Sequence, residues 1–205
     1  MKPSRDLALA NAKRLRELNA RVSETVKLRS RSPADRAEWE LACSNFHAQF
    51  GSLFFPGGEA AWESFIRSER SGVEAALVFL EADPRSFRSG YIKQIVWDRL
   101  KRSAALSAHE LSRLESVADE YLQKPALREF WHMGKFMRLR GSKQFWSRIE
   151  SLAADPMRQP PAIKASWLLL ARANLPIRRR IQSELRHAKY EPTYRPTLDF
   201  YQLAA

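Results

Sequence analysis

The sequence of 205 residues contains little of what several protein classes require. It has one cysteine, Cys43, so neither an intramolecular disulfide nor a paired-cysteine zinc site can form, and a reducing cytoplasmic compartment is expected. It has seven glycines, and none of them builds a loop of the kind that holds nucleotide phosphates. The longest apolar runs, 75–80 and 167–171, are far shorter than the ~20 residues that span a bilayer, so we expect no membrane helix.

Positive charge is what the sequence has in excess, and it is unevenly distributed. The whole chain carries +12 at pH 7. Counted by segment, the net charge is +6 over 1–31, −4 over 32–90, +11 over 91–190 and −1 over 191–205. A cationic excess in one half is typical of proteins that bind an anionic partner such as nucleic acid, anionic lipid or an acidic protein. A soluble protein can also carry such a charge without any polyanionic partner.

Helix signals recur along the chain, and no stretch has a convincing strand pattern. Ser32 and Pro33 place a capping hydroxyl before a proline at the first helical position, and Ser107 and Glu110 have the spacing of a capping box. We therefore predict an all-α fold, an irregular or HEAT-like array of about ten helices with a long basic N-terminal helix. The predicted helices span 4–30, 33–50, 59–70, 73–82, 86–102, 108–123, 126–140, 143–154, 162–173 and 177–190.

An Ala-Asp-Pro turn occurs twice, at 82–84 and 154–156. Each turn ends one predicted helix and is followed by another that carries Ile, Trp and Leu. This pattern resembles the helix, Asp-containing turn, helix unit of HEAT-type solenoids, in which stacked pairs share a continuous core. The resemblance covers two units of about thirty residues and implies a stack of helical pairs. Because Asp-Pro is also a common helix stop, an irregular array is the alternative.

Three segments are expected: a basic amphipathic helix over 1–31, an all-helical domain over 32–190 and an extended tail over 191–205. The two prolines of the tail oppose a helix. The first helix has a narrow apolar stripe that can bury against only one neighbour, either its own domain or a second copy of the chain. The stripe consists of Ala8, Asn11, Leu15, Leu18, Val22 and Val26.

The strongest basic feature lies on the last predicted helix. Its side chains share about one third of the helix circumference at about 100° per residue, so they can meet one polyanion together. Arginine suits phosphate because its planar fork donates two hydrogen bonds, and each neutralised phosphate releases counterions. The alternative is a solvated outer face. The candidate nucleic-acid-binding residues here are Arg178, Arg179, Gln182, Arg186 and Lys189.

A second candidate surface is formed by Lys93, Trp97 and Lys101, which are spaced by four residues. On a helix this spacing places the indole between two ammonium groups, an arrangement that could stack an unpaired base. Alternatively, Trp97 packs against another helix.

Catalytic chemistry has weaker support. Two Glu-x-x-His motifs, Glu129 with His132 and Glu184 with His187, could contribute to a di-metal site in a helical bundle if other helices supplied further acids. Cys43 shares a helical face with His47, and both are expected in the core. No catalytic residue, metal site or cofactor can be assigned. The candidates for the further acids are Glu59, Glu63, Glu81, Asp98 and Glu115.

The sequence therefore favours a non-catalytic, basic helical binding protein that contacts nucleic acid through phosphates. One alternative is a protein-interaction scaffold or homo-oligomer that uses the first helix and an exposed Phe54–Phe55 loop. Folding of that loop back over the core would remove this surface. A di-metal enzyme is the further alternative.

Overall fold

A computed structural model describes residues 3–102, 106–155, 157–158 and 160–174, and every regular element within these ranges is a helix. The predicted all-α fold is confirmed. The tenth predicted helix and the predicted tail fall outside the described residues. The helices are α1 (Arg5–Thr25), α2 (Pro33–Leu53), α3 (Gly58–Ile66), α4 (Arg70–Ala82), α5 (Ser89–Arg102), α6 (Ala108–Gln123), α7 (Arg128–Arg140), α8 (Lys143–Ala153) and α9 (Pro161–Arg172).

Local capping fixes several helix starts. The Ser32 hydroxyl accepts a hydrogen bond from the Asp35 amide at 3.1 Å, and the first residue of α2 is a proline. At α6 the predicted capping box is complete: the Ser107 amide donates to Glu110 Oε2 at 2.8 Å, and the Glu110 amide donates to Ser107 Oγ at 3.3 Å. Each bond satisfies an amide that has no partner inside its own helix.

The chain divides into two compact units, one ending at Val96 and the other beginning at Trp97. In unit 1, α1 packs against α2 and α4. The apolar stripe of α1 is thereby buried within its own unit: Leu15 and Leu18 form a core cluster with Phe46 of α2. Docking of the first helix on its own domain is thus the alternative that the structure adopts.

The loop at the end of α2 also packs inward. Phe55 is fully buried, and its ring centroid lies 5.2 Å from that of Trp62 and 5.3 Å from that of Phe79. Phe54 stacks on Phe50 at 5.4 Å. The loop therefore folds back over the core, and Phe55 is not part of an exposed patch.

Helices α3 and α4 approach each other closely at Gly72, in the first turns of α4. A methyl group added at Gly72 would lie 2.0 Å from the Phe65 amide nitrogen and 2.4 Å from the Phe65 Cα. Both atoms belong to the backbone, so no side-chain rotation could relieve the clash. Only glycine allows this approach.

In unit 2, α9 packs against α6, α7 and α8. Helix α7 is largely enclosed, as its apolar residues on several faces suggest. None of the described helices combines the length and the hydrophobicity that a bilayer crossing requires. The fully buried side chains of this unit include Trp97, Leu114, Phe130, Phe136 and Phe145.

Candidate nucleic-acid interface

The surface predicted from Lys93, Trp97 and Lys101 does not form, because α5 turns two of its three members inward. Lys93 is 1% exposed, and its ammonium lies 2.5 Å from Asp83 Oδ1. Trp97 is fully buried, and its ring centroid lies 5.2 Å from that of Phe136. These two residues are therefore removed from the candidate interface, and only the partly exposed Lys101 remains.

The prediction failed because more of the circumference of α5 is buried than the spacing of its aliphatic residues indicates. The aliphatic residues Ile92, Val96 and Leu100 are buried, and Trp97 also has no exposed surface, whereas Ile95 is 41% exposed. The indole Nε1 of Trp97 is buried without a hydrogen-bond partner among the described atoms. An indole in such a site packs a core and cannot stack on a base.

Cations from several helix ends meet at one end of unit 2, which we call the basic end and define as Lys101, Arg102, Arg138, Arg140 and Lys143. Arg140 Nη2 donates to the Lys101 carbonyl oxygen at 3.5 Å, which joins the end of α7 to the end of α5. Arg138 Nη1 donates to Asn174 Oδ1, which joins α7 to the segment after α9. The start of α8 contributes Lys143.

Two members of the basic end, Arg102 and Lys143, are exposed and have no ion-pair partner among the described residues. Arg138 is bound to a neutral amide, and its Nε is buried without a partner among the described atoms. Part of this charge complements the negative ends of α5 and α7, which requires no ligand. The exposed cations extend beyond that role and leave a positive surface open to solvent.

An acidic residue, Asp98, lies beside the basic end. Its Oδ2 lies 2.8 Å from His132 Nδ1, and its Oδ1 lies 3.4 Å from Lys101 Nζ. Burial alone would raise the pKa of the Asp98 carboxyl, but the hydrogen bond with His132 and the charges of His132 and Lys101 outweigh burial and lower it. Asp98 is therefore ionised at neutral pH and neutralises part of the charge of Lys101.

Many other arginines are bound to carboxylates. In unit 1, Arg36 pairs with Glu40 at 3.1 Å, and Arg67 pairs with Glu69 at 2.7 Å. In unit 2, Arg148 pairs with Asp119 at 3.0 Å. Such cations are poorer phosphate ligands because a phosphate must first compete with the carboxylate.

A polar cleft of about 340 Å³ on α8 also contains arginines that are already paired with carboxylates. It is lined by Arg148 and Arg158 with Ser147 and Ser151, but Arg148 is bound to Asp119 and Arg158 lies 3.6 Å from Asp155. Burial raises the pKa of Asp119 despite the opposing contact with Arg148. The two arginines are largely neutralised, so the cleft is a weaker anion site than the basic end.

The strongest basic candidates from the sequence, Arg178, Arg179, Gln182, Arg186 and Lys189, lie outside the described residues. Their common helical face stays a prediction. Asn174, the last described residue, is bound to Arg138 of the basic end and stands four positions before the first of them.

The metal alternative gains no support within the described residues, where no group of three His, Cys, Asp or Glu side chains could hold a metal ion. His132 of the first motif is bound to Asp98. The second motif, Glu184 with His187, lies outside these residues. Cys43 and His47 were expected in the core, and this prediction is wrong. Cys43 is partly exposed, His47 is exposed, and both line a cavity in unit 1.

Comparison of the chain with models of known protein families, with curated proteins and with solved structures gives no match. The functional conclusion therefore rests on the chain's own charge distribution and geometry.

Proposed function

We propose that the protein is a non-catalytic binding protein that contacts nucleic acid through its phosphates. The surface consists of the basic end of unit 2 and the cationic face predicted after Asn174. The observation that carries the proposal is the convergence of helix ends at Arg138 and Arg140, which gathers cations that are distant in the sequence.

Phosphate is the ligand that this surface fits best. Exposed cations without carboxylate partners can neutralise phosphates and release counterions without first breaking an ion pair. Arg102 and Lys143 meet this condition among the described residues. In the sequence, the first arginine of the predicted cationic face follows Asn174 by four positions.

The proposal includes little base specificity. Sequence is read through contacts with base edges or through stacking, whereas phosphate contacts only position the nucleic acid. The aromatic residue that was predicted to stack, Trp97, is buried. Binding should therefore depend on charge density more than on sequence.

The test measures the salt dependence of affinity by fluorescence anisotropy, with a labelled 20-base-pair DNA duplex and a single-stranded RNA of the same length. We expect the affinity of the wild-type protein to fall steeply with salt. The double variant Arg102→Ala/Lys143→Ala should reduce the slope of log K against log salt by about 2, because each phosphate contact contributes about one unit.

The matched control is Arg36→Ala/Arg67→Ala, which removes the same charge from two exposed arginines that are already paired with glutamates. This control should leave the slope close to that of the wild type. A slope that falls equally in both double variants, or an affinity that does not depend on salt, would overturn the proposal. The variant Arg179→Ala/Arg186→Ala tests the predicted helix and should lower the slope by about 2 more.

The scaffold alternative is less well supported, because the two surfaces on which it depended are occupied within unit 1. Leu15 of the first helix and Phe55 of the loop are fully buried.

A further inference from the structure

Unit 1 contains a cavity of about 310 Å³ lined by residues of α1, α2 and the segment before α5. Binding sites for small molecules are clefts of about 300 to 1,000 Å³ with apolar walls and a few polar groups. The cavity is therefore large enough for a molecule built on a single ring system. It has no part in the proposed binding of nucleic acid.

The walls of the cavity are aromatic. Phe46 and Phe50 of α2 line it together with Phe87, which precedes α5. The Phe87 ring meets that of Phe46 edge to face at a centroid distance of 5.3 Å and that of Phe50 at 6.2 Å. Phe87 is nevertheless 40% exposed, so part of its ring remains open to a ligand. An apolar ligand in the cavity would cover more of this ring.

The polar groups of the cavity are neutral or cationic. Asn19, His47 and Arg88 line it, and the described residues that line it include no carboxylate. The Arg88 guanidinium lies 5.2 Å from the Phe87 ring centroid and has no ion-pair partner among the described residues. This environment favours a ligand with an anionic group.

The backbone holds Arg88 at the cavity in an unfavourable conformation. Its φ of 60° lies in the left-handed region, which a residue with a long side chain seldom adopts. The Arg88 carbonyl accepts hydrogen bonds from the amides of Tyr91 at 2.9 Å and Ile92 at 3.1 Å, so the first turn of α5 fixes its position. Strained residues held in this way are common where a side chain must be presented to a ligand.

We infer that this cavity binds a small organic acid. Its aromatic or branched aliphatic body lies against Phe46, Phe50 and Phe87. Its carboxylate is bound by the Arg88 guanidinium, and Asn19 and His47 supply further hydrogen bonds. The inference is independent of the proposed nucleic-acid function, because it concerns unit 1 and different side chains.

The single cysteine of the chain provides a specific readout, because Cys43 lines the cavity. The rate at which iodoacetamide alkylates Cys43 is measured by mass spectrometry in the presence of three probes of the same shape: indole-3-acetate, indole-3-acetamide and tryptamine. We expect indole-3-acetate to slow alkylation and the neutral amide to need about tenfold higher concentration, because a charge-assisted hydrogen bond is lost. Tryptamine should be the weakest of the three.

The variant Arg88→Gln should remove the preference for indole-3-acetate over indole-3-acetamide. Glutamine has no charge and meets the same backbone strain as arginine, so the fold should be retained, which circular dichroism checks. The matched control is Arg85→Gln, an exposed arginine three residues earlier that does not line the cavity. It should behave as the wild type does.

Three results would each overturn the inference. The first is the absence of protection by indole-3-acetate up to about 5 mM. The second is equal protection by the acid, the amide and the amine. The third is an unchanged preference in the folded Arg88→Gln variant.

Discussion

Among the described residues, each unit of the molecule buries one lysine, and the hydrogen bonds of the two ammonium groups differ. Lys93 in unit 1 and Lys164 in unit 2 are both 1% exposed, and each follows an isoleucine in its helix. The Lys93 ammonium binds the Asp83 carboxylate at 2.5 Å. The Lys164 ammonium donates to two backbone oxygens, that of Leu122 at 2.9 Å and that of Lys124 at 2.5 Å.

The comparison shows that a carboxylate and the carbonyl groups of a helix end can both contribute hydrogen bonds to a buried ammonium. Asp83 ends α4 in the left-handed conformation, which presents its carboxylate to α5. Lys164 reaches the last turn of α6, where carbonyl groups have no partners inside the helix and carry partial negative charge. Neither lysine contributes to the outer surface, although both count toward the net charge of +11 in residues 91–190.

The largest expected effect is that of Lys93→Met. The substitution keeps the volume but removes the ammonium that binds the Asp83 carboxylate, so we expect a loss of about 3 kcal/mol in the free energy of unfolding. Urea denaturation followed by circular dichroism measures it. Asp83→Asn tolerates the same backbone conformation, and the double variant should recover part of the loss. A loss below about 1 kcal/mol would show that Lys93 is not held by this ion pair.

A smaller loss, about 2 kcal/mol, is expected for Lys164→Met, because two carbonyl oxygens lose hydrogen bonds to a charged donor. The same urea measurement tests this value. A loss for Lys164→Met that exceeds the loss for Lys93→Met would contradict the expected order of the two lysines. Lys143→Met, on the exposed start of α8, is the control and should change stability little.

The smallest effects concern two aspartates of unit 2 whose pKa values shift in opposite directions. The pKa of Asp98 is lowered, so the stability that it contributes is present above about pH 4 and is lost as the pH falls further. The pKa of Asp119 is raised, so its contribution is largest below about pH 4 and is lost as the pH rises through the folded pKa. Each contribution should be below about 1 kcal/mol, because both carboxylates are partly exposed.

Unfolding in urea between pH 7 and pH 3 tests this pair. As the pH falls, the wild-type protein should lose stability relative to Asp98→Asn and gain stability relative to Asp119→Asn. If the difference in the free energy of unfolding between wild type and variant changes in the same direction for both variants, the opposite pKa shifts of Asp98 and Asp119 are contradicted.

Helix positions were predictable because their signals are local. A capping hydroxyl and the amide that it accepts from are three residues apart, so Ser32 and Ser107 mark the starts of α2 and α6 from sequence alone. The boundary between α3 and α4 was less accurate. Helix α3 ends at Ile66, two residues before Ser68 with its φ of 63°, and α4 then begins three residues before the prediction.

The candidate sites were less predictable because they depend on which side of a helix has neighbours. A spacing of four residues places Lys93 and Trp97 on one face, but it does not tell whether that face is solvated or packed. The same limit applies to Cys43 and His47. Their shared face was identified, whereas the cavity beside it depends on Phe87, which is distant in the sequence.

The close approach at Gly72 limits how this fold can diverge. Even the smallest side chain at position 72 would force two helix backbones apart, so selection for the fold should preserve the glycine while surface charges drift freely. A distant relative with no remaining overall sequence similarity would still be expected to have glycine at this position, seven residues after an aromatic residue.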